Sequence, residues 1–555
     1  MSRENTTTAP RPPAGQPPLP WAVRLRRAGY VAPLRTSVHE RLVAPWPDRT
    51  TRRSGWVPAL LVALFAGLPR FWRLDTPRAL VFDETYYAKD AWSMLRLGYE
   101  GSWPDRTVAD PQILADPQTV PLSDPGAFVA HPPAGKWVIA LGEWMFGLGP
   151  FGWRFAAAAL GTLSVLMLCR IGRRLFRSTL LGCLAGALMA VDGLHLVLSR
   201  TALLDLFVMV FALAAFGSLL LDRDRTRARL AATLADRPAA PTASPPSPPS
   251  ADRAGTGPRP WRLAAGAFLG LSASVKWNGL YFLAAFLLLT LLWDAGARRT
   301  AGARHPYRAV LRRDTPSAAA LLAVAALTYL ATWTGWFRSD LAYGRHWADG
   351  RGGPWSWIPA PLRSLWHYEA EVYRFNIGLH SPHSYQSNPW SWPVLGRPVL
   401  FHHVQVPAGT ADCPGPDGCV QTVLALGTPL LWWSACAASG YLLYRWALRR
   451  DWRSGAVLCG AAAGYLPWFL YQDRTVFSFY AVVLVPFLCL ALTAALAALP
   501  GPPGATATRR LRGTAAAAAL VLLIGWNFAD FLPLWTARTI PYTDWRSHLW
   551  LGTWF

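Results

Sequence analysis

The chain has 555 residues, 52% of them hydrophobic and only 15% charged, with a formal net charge of +23. So little charge on so long a chain argues against a soluble protein, and its long apolar blocks broken by short basic stretches read as a polytopic, all-α membrane protein. The Arg clusters sit at alternate ends of those blocks, which marks a topology signal and argues against nucleic acid as a partner.

Residues 1–55 are polar and rich in Pro and Arg, too long a lead for a cleaved signal peptide, and are expected to form a flexible cytoplasmic arm. A bilayer core about 30 Å thick takes roughly 20 apolar residues per helix. Spans are predicted at 56–72, 153–171, 179–198 and 202–221, as a pair within 261–293, and at 318–336, 420–443, 456–471, 476–499 and 515–534. The total is about eleven. Each half of the pair is short, about 25 Å at roughly 1.5 Å per residue. The Pro/Ser-rich linker 222–260, expected to be disordered, and the segment 298–313 are both basic and therefore cytoplasmic, so an even number of crossings separates them.

With the amino terminus inside, the basic segments 170–177, 445–453 and 509–512 also fall inside. Two long segments remain outside: 74–150, relatively acidic, and 337–419, rich in Trp, His and Pro. The amphipathic stretch 137–146 is too short to span and is expected in the interface. Residues 56–555 thus read as one membrane-embedded unit. Cys169, Cys183, Cys436, Cys459 and Cys489 lie in or beside apolar blocks, where a thiol acts as a small hydrophobe. Cys413 and Cys419 flank Pro-Gly-Pro-Asp-Gly in an outer polar loop, which suits a local disulfide in an oxidising compartment and offers too few ligands for zinc.

The sharpest local signal is Phe82-Asp83-Glu84, adjacent carboxylates among aromatics shortly after the first span. A carboxylate beside apolar surface can be poised as a general base. An acidic cap on a helix amino terminus is the alternative. His131-Pro132-Pro133-Ala134-Gly135-Lys136 ends the same outer segment, its prolines fixing a turn. Gly152-Trp153-Arg154 puts an arginine at the outer end of the second span, a functional cation or a snorkelling one.

Asp192, His195, Arg200 and Asp205 cluster at the next outward turn, with Arg200 and Asp205 the expected ion pair. Lys276 lies at the outer turn of the helical pair, and Arg474 and Tyr480 near the start of the tenth span. Arg154, Arg200, Lys276 and Arg474 are therefore all expected at the outer leaflet, where an anionic lipid headgroup can be held. His380, His383 and Tyr385 precede Pro389-Trp390-Ser391-Trp392-Pro393 in the second outer segment. Pro382 opposes a helix that would align the two histidines on a metal, so an aromatic loop over a substrate cleft, or interfacial Trp packing, is expected there and no metal site.

Taken in order, Phe82-Asp83-Glu84, the His131 to Lys136 motif, Gly152-Trp153-Arg154, Ser199-Arg200-Thr201-Ala202-Leu203-Leu204-Asp205, Ser274-Val275-Lys276-Trp277 and the 380–393 stretch resemble the polyprenyl-phosphate-mannose–protein O-mannosyltransferase family in its actinobacterial form, over residues 56–555. The resemblance implies a membrane-embedded C-type glycosyltransferase fold and transfer of mannose from polyprenyl-phosphate mannose to Ser or Thr hydroxyls of proteins crossing or emerging from the membrane, with inversion and with no cofactor or metal. It also implies a multi-pass protein of the cell membrane with an extracytoplasmic site. By the same resemblance Asp83 is the general base and Glu84 helps place the acceptor. Arg154 and Lys276 hold the donor phosphate, with Arg200, Lys136, Arg474 and Tyr480 as further candidates, and His131, His380, His383 and Tyr385 flank the substrate. Eukaryotic members carry an added β-rich domain in an outer loop, for which 337–419 is too short, and Ala134 stands where the family often has leucine.

Two other functions compete. One is a lipid-phosphate-dependent glycosyltransferase acting on a glycolipid or cell-wall polymer. The other is a transporter, which predicts internal repeats with broken helices at mid-membrane, and no convincing repeat is evident.

Overall fold

The computed structural model describes residues 38–43, 55–116, 122–235, 251–410, 413 and 416–555. Most of the expected arm at 1–55, and the middle of the linker at 236–250, lie outside the described residues. The helices that organise the molecule are α1 (Val57–Phe71), α2 (Glu84–Leu97), α3 (Ala134–Phe146), α4 (Pro150–Phe176), α5 (Thr179–Ala190), α6 (Asp205–Ala235), α7 (Pro260–Val275), α8 (Gly279–Thr300) and α9 (Thr315–Thr332). They continue with α10 (Ala360–Ile377), α11 (Pro429–Arg449), α12 (Trp452–Tyr465), α13 (Val485–Ala498) and α14 (Ala507–Trp535). Six segments are long and apolar enough to cross a bilayer: α4, α6, α8, α9, α14 and the run Ser478–Ala498 that ends in α13, while α1 and α5 are apolar but shorter. Each predicted span overlaps one of the fourteen helices, but α7, α11 and α12 are not among those apolar segments.

Helix starts follow local chemistry. Pro stands in the first turn of α1, α4, α7, α9, α10, α11 and α13, where its missing N–H costs nothing. In the bundle, α4 packs against both α1 and α5, and α7 lies between α6 and α9. The α7–α9 contact is close because Gly266 and Gly270 face it: a Cβ there would meet the Leu321 and Ala325 carbonyl oxygens at 2.5 and 2.4 Å. The main apolar cluster runs through α4, α5, α6 and α13, with Leu168, Leu188, Phe216 and Leu490 fully or almost fully buried.

Three expectations are corrected. The region 420–443 is not one span: Cys419–Ala425 is a β-strand, rich in β-branched residues, and Leu426, Gly427 and Thr428 separate it from α11, which opens on Pro429. That strand pairs antiparallel with Val399–Val406 and with Ile540–Pro541. The expected span 476–499 matches the apolar run Ser478–Ala498, which opens on a 3-10 turn over Ser478–Leu484, and 456–471 ends in another 3-10 turn, Leu466–Leu470, at Pro467. In the helical pair, α8 continues to Thr300, so its 22 residues are not short for a bilayer.

The linker is ordered at both ends. α6 continues past Asp222 to Ala235, and Arg259 is buried against Asp222 and Asp294. Apolar side chains at Leu230 and Ala231 pack on Leu42 and Ala297, which favours extending α6 beyond the last membrane-apolar turn. α3 matches the expected amphipathic piece, burying Ile139 and Ala140 while exposing Leu141, Trp144 and Phe146. The Trp-rich tail folds back, with the Trp554 indole donating to the Leu395 carbonyl at 2.7 Å.

Candidate active site

The turn that carries Asp83 is fixed on both sides. Phe82 has φ 51, in the left-handed region that bulky residues avoid, so surrounding contacts must hold it. They are aromatic: its ring stacks on Phe401 at 4.9 Å and meets Phe477 and Phe479 edge-on, each at 5.6 Å. On the other side Glu84 is fully buried and accepts from Arg154 Nε and Nη2, both at 2.8 Å, and from the Val81 and Ala202 N–H groups at 3.0 and 2.9 Å. Arg154 spends its remaining donors on the Pro77 and Ala79 carbonyls at 2.9 and 2.8 Å. Neither side chain reaches solvent.

Asp83 is the N-cap residue of α2, with Glu84 in the first turn, so the two carboxylates do sit at a helix amino terminus; Asp83 is partly exposed and its side chain makes no capping hydrogen bond. Burial pushes its carboxyl up to about 6, Lys276 opposes the shift and Asp205 adds to it. Those three groups therefore share one electrostatic neighbourhood, drawn from the outer turn before α2, the start of α6 and the α7–α8 turn.

Beside them lies a cavity of about 350 Å³. Lys276, Arg474, Tyr480 and His131 line it together with Trp277, Tyr281 and Asn376, and Leu280, Ile377 and Pro467 make an apolar wall. Lys276 Nζ lies 2.7 Å from Asp205 and 5.0 Å from the centre of the Tyr480 ring. Arg474 donates to the Asn376 side-chain oxygen at 3.1 Å, and Asn376 donates in turn to the Ala130 carbonyl at 3.0 Å. This links Arg474, α10 and the His131 turn. Burial, with Lys276, Lys136 and Arg474 nearby, holds the His131 imidazole well below its ordinary value and so neutral.

Other expected residues sit elsewhere. The pairing of Arg200 with Asp205 is overturned: Asp205 holds Lys276, and Arg200 donates to the Pro69, Trp72 and Arg73 carbonyls at 2.7, 2.7 and 3.0 Å. The last turn of α1 leaves carbonyls without helical partners, and Arg200 satisfies them. Lys136 is buried 2.5 Å from Glu100 and donates to the His131 carbonyl at 3.0 Å, so it fixes the motif's turn and does not line the cavity. Arg154 does not line it either. Asp192 caps the short helix Gly193–Leu198 and accepts from the Trp432 indole at 2.7 Å, while His195 lies between Arg70 and Ser164 at 2.6 and 3.0 Å.

The 380–385 segment buttresses the site from outside. His380 Nδ1 faces the Asp473 carbonyl at 2.8 Å, next to Arg474. His383 accepts the Tyr385 N–H at 3.1 Å and stands edge-on to Phe82 at 6.1 Å, and Arg397 covers the Tyr385 ring at 5.1 Å. Cys413 and Cys419 are joined by a disulfide, at the start of the strand Cys419–Ala425. Sequence reasoning missed Asn376, Tyr281 and Tyr471, whose hydroxyls (Tyr281 to Tyr471) meet at 2.9 Å, and Glu369, which bonds Tyr329 behind Trp277. Nothing in the local sequence marks them, because helix packing alone brings them to Lys276 and Arg474.

Comparison with known proteins fits this arrangement. Residues 60–234 match the family model for dolichyl-phosphate-mannose-protein mannosyltransferase, and residues 361–554 match that for the C-terminal four-span region of protein-O-mannosyltransferase. The polyprenol-phosphate-mannose–protein mannosyltransferase of Mycolicibacterium smegmatis is 39% identical over 544 residues, covering 95% of this chain and 98% of the relative. The protein of the same name from Corynebacterium glutamicum is 33% identical over 525 residues, 92% and 95% of the two chains. The Saccharomyces cerevisiae protein O-mannosyltransferase complex, solved with the sugar donor bound, superposes with a TM-score of 0.67 over 93% of this chain and 94% of that one at 15% identity, which makes the fold a common one. With near full-length identity to two such relatives, the chain belongs to the protein O-mannosyltransferase family and is a multi-pass membrane glycosyltransferase of that fold.

Proposed function

We propose that the chain transfers mannose from polyprenol-phosphate mannose to Ser or Thr hydroxyls of proteins, at the extracytoplasmic face of the cell membrane. The reaction and the two substrate classes are those in the names of its full-length relatives. The observation that carries the residue roles is the cavity holding Lys276 and Arg474 with Asp83 in the field of Lys276.

The chemistry runs as one displacement. An acceptor hydroxyl gives its proton to the Asp83 carboxylate as its oxygen bonds the anomeric carbon. The bond from that carbon to the phosphate oxygen breaks, and its electron pair leaves with polyprenyl phosphate. Lys276, Arg474 and the Tyr480 hydroxyl hold the charge that builds on the phosphate. The apolar wall of Leu280, Ile377 and Pro467 suits the first prenyl units of the donor. Attack opposite the leaving group inverts the anomeric centre. Glu84 and Arg154, fully buried on each other, act by fixing the turn that presents Asp83, a role different from the acceptor and phosphate contacts expected of them.

The test is transfer of radiolabelled mannose from polyprenyl-phosphate mannose to a Ser/Thr-rich peptide, in membranes carrying the native chain or Asp83→Asn. Transfer by the native chain and its loss in the variant support the reaction and its base. Label entering only lipid or polysaccharide sinks the protein acceptor, and normal turnover by correctly inserted Asp83→Asn sinks the base.

A further inference from the structure

Phe82, held in the left-handed region one residue before Asp83, is caged by four rings from three segments. Phe401 comes from the strand Val399–Val406, Phe477 and Phe479 from the N-cap and first turn of Ser478–Leu484, and His383 from the 380–385 segment. A cage built from separate segments keeps its shape only if those segments are fixed to one another.

Arg397 is where they meet. It stands two residues before the strand, and its carbonyl accepts from the Ser478 hydroxyl at 2.8 Å. Its guanidinium bonds the Ser384 carbonyl through Nε at 3.1 Å and Nη2 at 2.8 Å, and lies over the Tyr385 ring. The remaining nitrogen, Nη1, donates to the Thr553 and Phe555 carbonyls at 2.6 and 3.2 Å. The tail in turn grips the two residues before Arg397: the Trp554 indole donates to the Leu395 carbonyl, and the Thr553 hydroxyl to that of Gly396. Trp554 is fully buried, which makes the tail a fixed wall. A planar fork of five N–H donors can serve two chain segments at once where a lysine ammonium holds only one point in space.

We propose that Arg397 is a positioning residue for the transfer reaction: it clasps the tail to the 383–385 segment, and so keeps the ring cage closed on Phe82 and Asp83 in its place. The inference rests on the role proposed for Asp83. Arg397 does not line the cavity of Lys276 and Arg474, so it acts through the cage. The cage adds to the burial that raises the Asp83 carboxyl, which Lys276 and a Tyr87 hydrogen bond oppose and Asp205 reinforces. A looser cage should therefore let that value fall back toward 3.8. The base of the segment is tied separately, by the Thr475 N–H to the Leu379 carbonyl at 3.0 Å and the Ser387 N–H to the Val476 carbonyl at 2.9 Å. Loss of Arg397 should thus free the tip of the segment and spare the fold.

The experiment compares the full native chain with Arg397→Gln in mannose transfer to a Ser/Thr-rich peptide as a function of pH, and in hydrogen–deuterium exchange. Expected for the variant is a kcat lower by up to about 100-fold, as a misplacement of about 1 Å costs, with KM for the lipid donor unchanged. Its rate should rise at a pH below the native value of about 6. The Glu84, Tyr86 and Tyr87 amides, which donate to the Val81 and Asp83 carbonyls, should exchange faster at an unchanged unfolding temperature. Arg345→Gln removes an arginine that closes its own turn on the Phe337 carbonyl, and should match the native chain in every readout. Native exchange at the three amides overturns the hold on Phe82. A lower kcat with an unmoved pH profile, or with exchange equally faster throughout the chain, reduces Arg397 to general stability and overturns the proposal as well. If the native chain transfers no mannose to peptide, the proposed reaction fails, and exchange alone still decides on Arg397. Should Arg397→Gln not fold, Arg397→Lys, which keeps the charge and loses the fork, decides on the same readouts.

Discussion

Glu84 receives two parallel hydrogen bonds from Arg154, both 2.8 Å long, and neither side chain has any exposed surface. A paired buried charge is tolerable because its partner answers it, and becomes costly once the partner is gone. Glu84→Ala strands the Arg154 guanidinium and should cost about 3–5 kcal/mol of stability. Arg154→Lys keeps the charge but loses the fork, and should be intermediate. Thermal unfolding in detergent reads both. A Glu84→Gln protein of native stability that transfers no mannose would instead return Glu84 to a direct part in the reaction.

Asp83 titrates in a range where function and stability pull apart. Its folded value is raised to about 6 from 3.8, chiefly by burial, so the protonated form favours the fold. That contribution is fully present below 3.8 and is lost as pH rises through about 6. In its proposed role as base, however, Asp83 must be ionised. Transfer should therefore rise with pH as a single proton leaves near 6, while Asp83→Asn should unfold no more easily than the native chain at pH 7, with any gain fading toward pH 4. A flat rate profile between pH 5 and 7 would remove Asp83 from the proton transfer.

How much of this was readable in the sequence depended on whether a feature is local. Helix positions followed the apolar blocks, because burial in lipid demands continuous apolar runs. The break at Lys276 was visible too, as a polar turn between two such runs. The strand Cys419–Ala425 was not, since a short buried strand and a helix start have the same hydropathy, and only its pairing with Val399–Val406 decides between them. Within the site, Lys276, Arg474, Tyr480 and His131 were named and do line one cavity. Arg200 and Arg154 were named for their charge, yet charge says nothing about partners: one closes a helix end and the other holds Glu84.

Lys276 is pinned by Asp205 at 2.7 Å, so removing it has two separable effects. In the proposed reaction Lys276→Ala takes a cation from the leaving phosphate, which should lower kcat about 10²–10³-fold, as loss of one preorganised donor does. It also leaves Asp205 buried without its ammonium, which lowers stability. The double variant Lys276→Ala/Asp205→Ala should recover stability and not turnover. Recovery of both would mean that Lys276 serves only to balance Asp205. Arg474→Gln, whose partner Asn376 is neutral, should lower turnover without the stability loss.

Far from that cavity, Asp294 accepts from Arg259 and Arg262, both at 2.7 Å, and Arg259 also pairs with Asp222. This buried network ties the late part of α6 and the start of α7 to α8. Asp294→Ala leaves two guanidinium groups under-compensated and should cost about 3–5 kcal/mol, seen as a lower unfolding temperature. The 16 residues of α7 put the network about 24 Å from the Lys276 turn, so turnover per folded molecule should stay native. A variant that unfolds normally but turns over slowly would mean that the packing of α7 transmits this end of the bundle to the catalytic one, since α7 runs directly from Arg262 to Lys276.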